Sequence, residues 1–336
     1  MSKEKELMTS LKKTTLSLFI IGVFNNQLST AGTMGPVSVC DQTSLFVGIN
    51  ALYLQPRNDD LDYVTVFTNR PTYTSNVDLN YDWGFNLFGG IKFYNNNDLT
   101  VSWQRLHTSD HNVTFPSEEF AVEPRWLPQG AWTSVLGRAR FDYDEVSGVI
   151  AHTSLFNNGW LIRYGIGADY AEIDSRFLVY ATTDTVTVNR GFTNTSVFHG
   201  VGPRIEGDVF YNLYQELNVF ASANAALLIG SREFYLSAQR SSDSSRYFDD
   251  RLTQVPKLGL RVGLDYKYPI GLLSTGKRAV IDFQVGWQAE TYFDAIERPS
   301  TGVIGGEGSL STFLPRTSNY NNQGLFFGVA LSTDCL

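Results

Sequence analysis

The stretch VDLNYDWGFNLFGGIKF, residues 77–93, decides how the rest of the chain is read. One face carries Val77, Leu79, Tyr81, Trp83, Phe85, Leu87, Ile91 and Phe93. The other carries Asp78, Asn80, Asp82, Gly84, Asn86 and Lys92, with Phe88 as its one large apolar residue. A period of two marks a strand, because successive side chains leave opposite faces of an extended backbone. The stretch is far longer than the ~5–6 residues typical of soluble strands. A strand of this length with one apolar face suits a membrane wall, where lipid-facing and lumen-facing residues alternate.

The pattern recurs down the chain. Val197, Val201, Pro203, Ile205, Val209 and Tyr211 oppose Arg204, Glu206 and Asp208. Leu217, Val219, Ala221, Ala223, Ala225, Leu227 and Ile229 oppose Asn218, Ser222 and Asn224. Leu258, Leu260, Val262, Leu264, Tyr266 and Tyr268 oppose Lys257, Arg261, Asp265 and Lys267. Ile281, Phe283, Val285, Trp287, Ala289 and Phe293 oppose Asp282, Gln284, Gln288 and Glu290.

A soluble sandwich also alternates, with its polar face in water. Three features favour the membrane reading. The segments are too long for a sandwich, and their polar faces combine glycine with opposite charges, as a crowded lumen would. Aromatics gather near segment ends, at Tyr81, Trp83, Trp103, Tyr266, Tyr268 and Trp287, where a membrane girdle belongs.

The expected fold is therefore an all-β, antiparallel transmembrane barrel of about ten strands: 44–54, 77–93, 99–108, 134–152, 160–173, 196–212, 217–232, 254–268, 279–293 and 323–332. A pair hidden in a loop would make twelve. Phe177 to Thr187 is the best source of extra strand, though it reads as loop extension. The stretch 134–152 changes phase near Glu145, which suggests a bulge. Short turns near 95–98, 156–159, 213–216 and 269–277 alternate with long polar stretches at 55–76, 109–132, 175–195, 234–253 and 294–322. That is the outer-membrane arrangement, with short turns on the periplasmic side and long loops outside.

Hydrophobic content of 43% looks soluble, and beyond the first thirty residues no apolar run approaches the ~20 a spanning helix needs. Lys3, Lys5, Lys12 and Lys13 precede the apolar stretch Thr14 to Phe24, and Ser29-Thr30-Ala31 offers small residues before a cut. Residues 1–31 thus read as a signal peptide, 32–43 as a periplasmic segment and 44–336 as the barrel. Cleavage also removes Glu4 and Glu6 and takes the net charge from −8 to −10. An acidic chain without a basic cluster argues against nucleic acid as a partner.

Two cysteines, Cys40 and Cys335, flank the barrel segment in an oxidising compartment. Pairing of the first and last strands brings them near one another, so an internal disulfide is plausible; a bridge between protomers is the alternative.

By the alternation, the pore-lining charges are Arg138, Arg140, Asp142, Arg163, Asp169, Arg204, Glu206, Asp208, Lys257, Arg261, Asp265, Asp282 and Glu290, with Lys92, Lys267, Asp78, Asp82 and Asp144 also inward. Acids and bases nearly balance, so internal ion pairs are expected. No GxSxG, HExxH or phosphate-binding loop occurs, and His107, His111, His152 and His199 form no triad spacing. No enzyme, metal or cofactor is expected.

Several motifs resemble one family. Ala31-Gly-Thr-Met-Gly-Pro-Val37 followed by Cys40 resembles the mature N-terminus of the Legionella major outer membrane protein family. Tyr81-Asp-Trp-Gly-Phe85, Gly137-Arg-Ala-Arg140, Phe141-Asp-Tyr143, Gly200-Val-Gly-Pro-Arg204, Ala225-Ala-Leu-Leu228 and Gly230 follow in the family's order. The chain departs from the family pattern in placing Ser38-Val39 before the cysteine, and it ends in Leu336 rather than the usual terminal Phe. The resemblance implies a porin-like surface barrel with disulfide-linked oligomers and contact with host cells. The function expected is passive diffusion of ions and small solutes, with a non-conducting surface barrel acting through its loops as the alternative. Expected partners are outer-membrane lipid and lipopolysaccharide, a second copy of the chain, and a host-surface ligand.

Overall fold

The computed structural model describes residues 43–68, 72–116, 120–127, 131–156, 160–183, 190–214, 216–239, 244–272, 278–299 and 315–334. The expected signal peptide, the segment before residue 43, and Cys40 and Cys335 with their expected disulfide lie outside these residues.

The long alternating segments form one closed antiparallel barrel of ten strands among the described residues. These are β1 (Ser44–Arg57), β4 (Asp82–Phe93), β5 (Asn97–Thr114), β7 (Ser134–Phe156), β8 (Trp160–Thr182), β9 (Arg190–Tyr214), β10 (Leu217–Gln239), β11 (Ser244–Leu272), β12 (Arg278–Pro299) and β13 (Pro315–Asp334). Each pairs with its neighbour in the chain. β1 closes the ring, meeting β13 from Phe46↔Ser332 to Arg57↔Asn321 and β4 from Ser44↔Lys92 to Leu54↔Asp82. Closure leaves no open sheet edge, which lipid does not tolerate.

The strands outrun the membrane. A 23-residue strand such as β7, at about 3.3 Å per residue and a tilt of about 40°, rises roughly 58 Å, over twice the ~25 Å apolar band. Much of the expected loop 175–195 and of 234–253 is strand, including Phe177 to Thr182 at the end of β8.

The side-chain pattern inverts where the wall leaves the lipid. Outward on β8 stand Trp160, Ile162, Tyr164, Ile166, Ala168 and Tyr170, and then Glu172, Asp174 and Arg176. Inward stand Arg163 and Asp169 low down, and then Ala171, Ile173, Phe177 and Val179. β7 does the same in reverse order: Ile150, Gly148 and Val146 face out below, followed by Asp144, Asp142, Arg140 and Arg138. The cause is the solvent. In lipid the outer face must be apolar, whereas above it the outer face is wet and the interior is a packed core.

Arg138, Arg140, Asp142 and Asp144 therefore point out of the barrel, not into a lumen. No bulge exists near Glu145, since β7 pairs with β5 and β8 without a register shift. The phase of hydrophobicity changes there while the phase of the backbone does not. Register shifts in the described barrel lie instead between Leu217 and Asn218 and between Arg232 and Phe234 on β10, between Pro269 and Gly271 on β11, and between Tyr292 and Ile296 on β12, where Asp294 adopts φ 56°.

The start of the deciding stretch is likewise corrected. Residues 77–81 precede β4, and Val77 and Leu79 are buried instead of facing lipid, while Asp78 is exposed. They belong to a second, three-stranded sheet region built from the outer loops: β2 (Asp62–Thr68), flanked by β3 (Tyr73–Asn76) and β6 (Phe120–Pro124). Leu61, Tyr63, Val64, Val66, Val122 and Trp126 of this region join one buried cluster with Val135, Phe177, Val179 and Phe192 of the barrel wall. Trp126 stacks on Phe192 at 5.3 Å and meets Phe177 edge-on, while its Nε1 donates to the Pro299 carbonyl at 3.2 Å. Tyr63 occupies the space above Gly137, where a Cβ would stand 2.4 Å from its ring.

Candidate functional site: the lumen and its closure

Inward positions at mid-height come from strands all round the ring, and their charges meet across it. Arg163 on β8 donates to Asp98 at 2.6 and 2.7 Å, to Glu206 at 2.5 Å and to Asp208 at 2.6 Å. Arg204 on β9 reaches Asp169 at 2.9 Å and both Glu145 and Glu206 at 3.1 Å. Lys257 on β11, with no side-chain exposure, donates to Glu145 and, at 3.1 Å, to Asp169, with Glu290 3.9 Å away. Lower down, Lys267 bridges Asp282 at 3.1 Å and Asp265 at 3.5 Å.

An aromatic layer caps this network. The Tyr143 and Tyr292 hydroxyls stand 2.8 Å apart and both reach Glu145, Tyr292 at 3.1 Å, while Glu290 lies 3.2 Å from the Tyr143 hydroxyl. Tyr320 packs on Phe141, Tyr143 and Tyr292 at ring separations of 5.5–6.1 Å. The loop sheet lies above. What remains below is a cavity of about 120 Å³, bordered by Asn50, Asn86, Arg163, Arg204, Arg261 and Gln284 among others. That is room for a few waters and less than a drug-sized ligand occupies.

Ten of the thirteen expected lining residues thus face inward: Arg163, Asp169, Arg204, Glu206, Asp208, Lys257, Arg261, Asp265, Asp282 and Glu290. Nine of them are tied into the two ion-pair groups just described. Arg261 is the exception, lying over the Phe326 ring at 4.2 Å with its Nε and one terminal nitrogen lacking hydrogen-bond partners among the described residues. Arg138, Arg140 and Asp142 are absent from the lumen. Asp98, Glu145 and the tyrosines were missed by the sequence reading. Counting every second residue straight through position 145, instead of following hydrophobicity, places Glu145 and Tyr143 inside.

The girdle residues Trp83, Trp103, Tyr266, Tyr268 and Trp287 are exposed on the outer wall. Tyr81 is half-buried, stacked on Tyr53 at 5.1 Å. Tyr266 and Tyr268 lie near the periplasmic end of β11, whereas Trp103 marks the outer boundary, where its Nε1 donates to Asp144 at 3.1 Å.

Above that boundary the outer wall carries its own charges. Asp142 contacts His107, and Arg140 Nε donates to it at 2.8 Å. Partial burial pushes the Asp142 carboxyl up, but the hydrogen bonds with Arg140 and His107 outweigh this and hold it below its ordinary value. Asp174, directly opposite Asp142, is raised by burial and then by that neighbour's charge. Inside the same storey, Arg298 is buried against neutral partners, Asn194 at 2.6 Å and Ser175 at 2.7 Å, and burial lowers its guanidinium to about 9. Among the described residues no cluster of His, Cys, Asp or Glu has metal-site geometry.

No curated protein matches the sequence. Solved structures with similar chain paths include the outer membrane protease OmpT from Escherichia coli (8% identity, TM-score 0.39, covering 86% of this chain and 96% of that one). A Pseudomonas aeruginosa FadL homologue (8%, 0.25, 88% and 90%) and the Pseudomonas putida toluene transporter TodX (7%, 0.27, 88% and 90%) are further examples. Likeness at this level says nothing of what the chain binds or does. The family described as Legionella pneumophila major outer membrane protein precursor matches residues 37–333, nearly the whole chain. The chain belongs to that family and is a β-barrel of the bacterial outer membrane.

Proposed function

We propose that this protein is a closed outer-membrane barrel whose working surface is the storey standing above the lipid. The observation that carries the reading is the layer from Arg163 through Lys257 to Tyr143, Tyr292 and Tyr320, which joins opposite walls at mid-height. Opening a path would separate buried ion pairs, and breaking one costs about 3–5 kcal/mol. The surface role, adhesion or envelope structure, then belongs to the outer loops and strand extensions, and no catalytic step or cofactor is part of it.

The second reading is the passive pore implied by the family resemblance. It draws on the acid excess of the lumen, where Asp98, Glu145, Asp169, Glu206, Asp208, Asp265, Asp282 and Glu290 outnumber Arg163, Arg204, Lys257, Arg261 and Lys267. Such a lumen would favour cations. Single-channel recording in planar bilayers separates the two. The closed reading expects refolded protein to give no steady conductance, and Tyr143→Ala with Tyr292→Ala to create cation-selective openings. Steady open channels from the unaltered protein would overturn it.

A further inference from the structure

On the outer wall of β7 and β8, side chains that are direct cross-strand partners carry the same charge. Asp144 faces Glu172, Asp142 faces Asp174, and one step higher Arg140 faces Arg176. Like charges directly opposite one another destabilise a sheet. Arg140 is offset by Asp142, whose carboxylate accepts from its Nε at 2.8 Å. Arg138, two residues further up β7, has no ion pair among the described residues and is exposed, as are Arg140 and Arg176.

The wall is concave here. A hollow of about 730 Å³ spans β5 to β10, with Arg138, Arg140 and Arg176 contributed by β7 and β8, Thr193 and Thr195 by β9, and Glu233 of β10 the one acid among the described lining residues. All of these side chains face away from the lumen, towards the molecules that surround the barrel. Its height is set by the strands: Arg140 stands six residues beyond Val146, the last lipid-facing residue of β7. At ~3.3 Å per residue and ~40° tilt this is roughly 15 Å above the apolar band, beyond the acyl chains and level with the sugars of the outer leaflet.

We propose that the hollow binds the anionic inner core of lipopolysaccharide, its arginines holding phosphate and carboxylate groups of the core sugars while Thr193 and Thr195 offer hydroxyls. Guanidinium groups suit this task because they donate two parallel hydrogen bonds to such anions. A bound anion lying between Arg140 and Arg176 relieves their repulsion. The site holds whether or not the lumen conducts.

The test uses the full mature protein, refolded in zwitterionic detergent, with binding of purified lipopolysaccharide followed by calorimetry. Arg138→Gln alone, at an exposed unpaired position, is expected to weaken binding about threefold, and the triple variant R138Q/R140Q/R176Q at least tenfold. Both variants should keep the mobility shift between folded and heated protein on gels. Lipopolysaccharide stripped of its core phosphates should bind the unaltered protein more weakly than the intact form does, with the remaining affinity due to the core carboxylates; binding undiminished by their removal would count against the proposal. Unchanged affinity in folded triple variant overturns the proposal. So does inorganic phosphate competing at lipopolysaccharide's own affinity, which would indicate a free-anion site. Binding abolished by EDTA and insensitive to the arginines would assign the contact to the acidic pairs below, through divalent cations, and would also overturn it.

Discussion

At the scale of single residues, the wall's two environments make opposite demands on similar side chains. Ile166, 70% exposed, faces lipid on β8, and Arg176 faces water ten residues on along the same face. Ile166→Arg is expected to cost about 2–4 kcal/mol, the range for a cation near the bilayer midplane. Arg176→Ile should stay within about 0.5 kcal/mol, as for other exposed surface changes. Urea unfolding from detergent micelles would measure both. Inside the lumen, Lys257→Ala leaves Glu290 without its cation and Glu145 and Asp169 sharing Arg204 alone, and should destabilise by about 3–5 kcal/mol in the same assay. Inward charges such as Lys257, Asp265 and Asp282 were legible in the sequence because their outward neighbours Leu258, Leu264 and Phe283 are apolar. Arg138 and Arg140 were misread because their outward surroundings are water. Alternation reveals which residues share a face, but the solvent decides which face is apolar.

At the scale of elements, the ten strands were legible and their outer ends were not. Charged and polar runs at 175–195 and 234–253 resemble loops by composition, yet strand pairing continues through much of them because each has an adjacent partner strand. The loop sheet of β2, β3 and β6 escaped the sequence reading for a different reason. Its strands are only 7, 4 and 5 residues long, and β6 finds its partner over fifty residues away in the chain. Such non-local pairing leaves little local signal. The fit of Tyr63 against Gly137 makes the docking of this sheet testable. Gly137→Leu forces a side chain into the Tyr63 ring, with a cost of about 1–3 kcal/mol for overpacking. Limited proteolysis should then cut within residues 58–81 faster than in the unaltered protein, while the gel mobility of the folded barrel is retained. Unchanged cleavage would show that Tyr63 does not hold the sheet in place.

At the scale of the whole molecule, one set of strands serves as a membrane barrel below and as a water-exposed barrel with its own apolar core above. The lower half encloses ion pairs because its charges have nowhere else to go in lipid, and buried charges persist only when paired. The upper half encloses Phe141, Phe177, Phe192, Trp126 and Tyr320 because water now bathes the outside. The two interiors stack within the ring, so the same inversion underlies both the filled lumen and the tall outer surface. Spin labels placed one at a time at even positions 162 to 178 of β8, in a C40S/C335S background reconstituted in bilayers, test this most directly. Collision rates with oxygen and with a water-soluble relaxant should exchange dominance between Tyr170 and Glu172, with Asp174, Arg176 and Leu178 reporting water. Oxygen-dominated relaxation continuing through to Leu178 would contradict the inversion and return Arg138 and Arg140 to the question of which way they face.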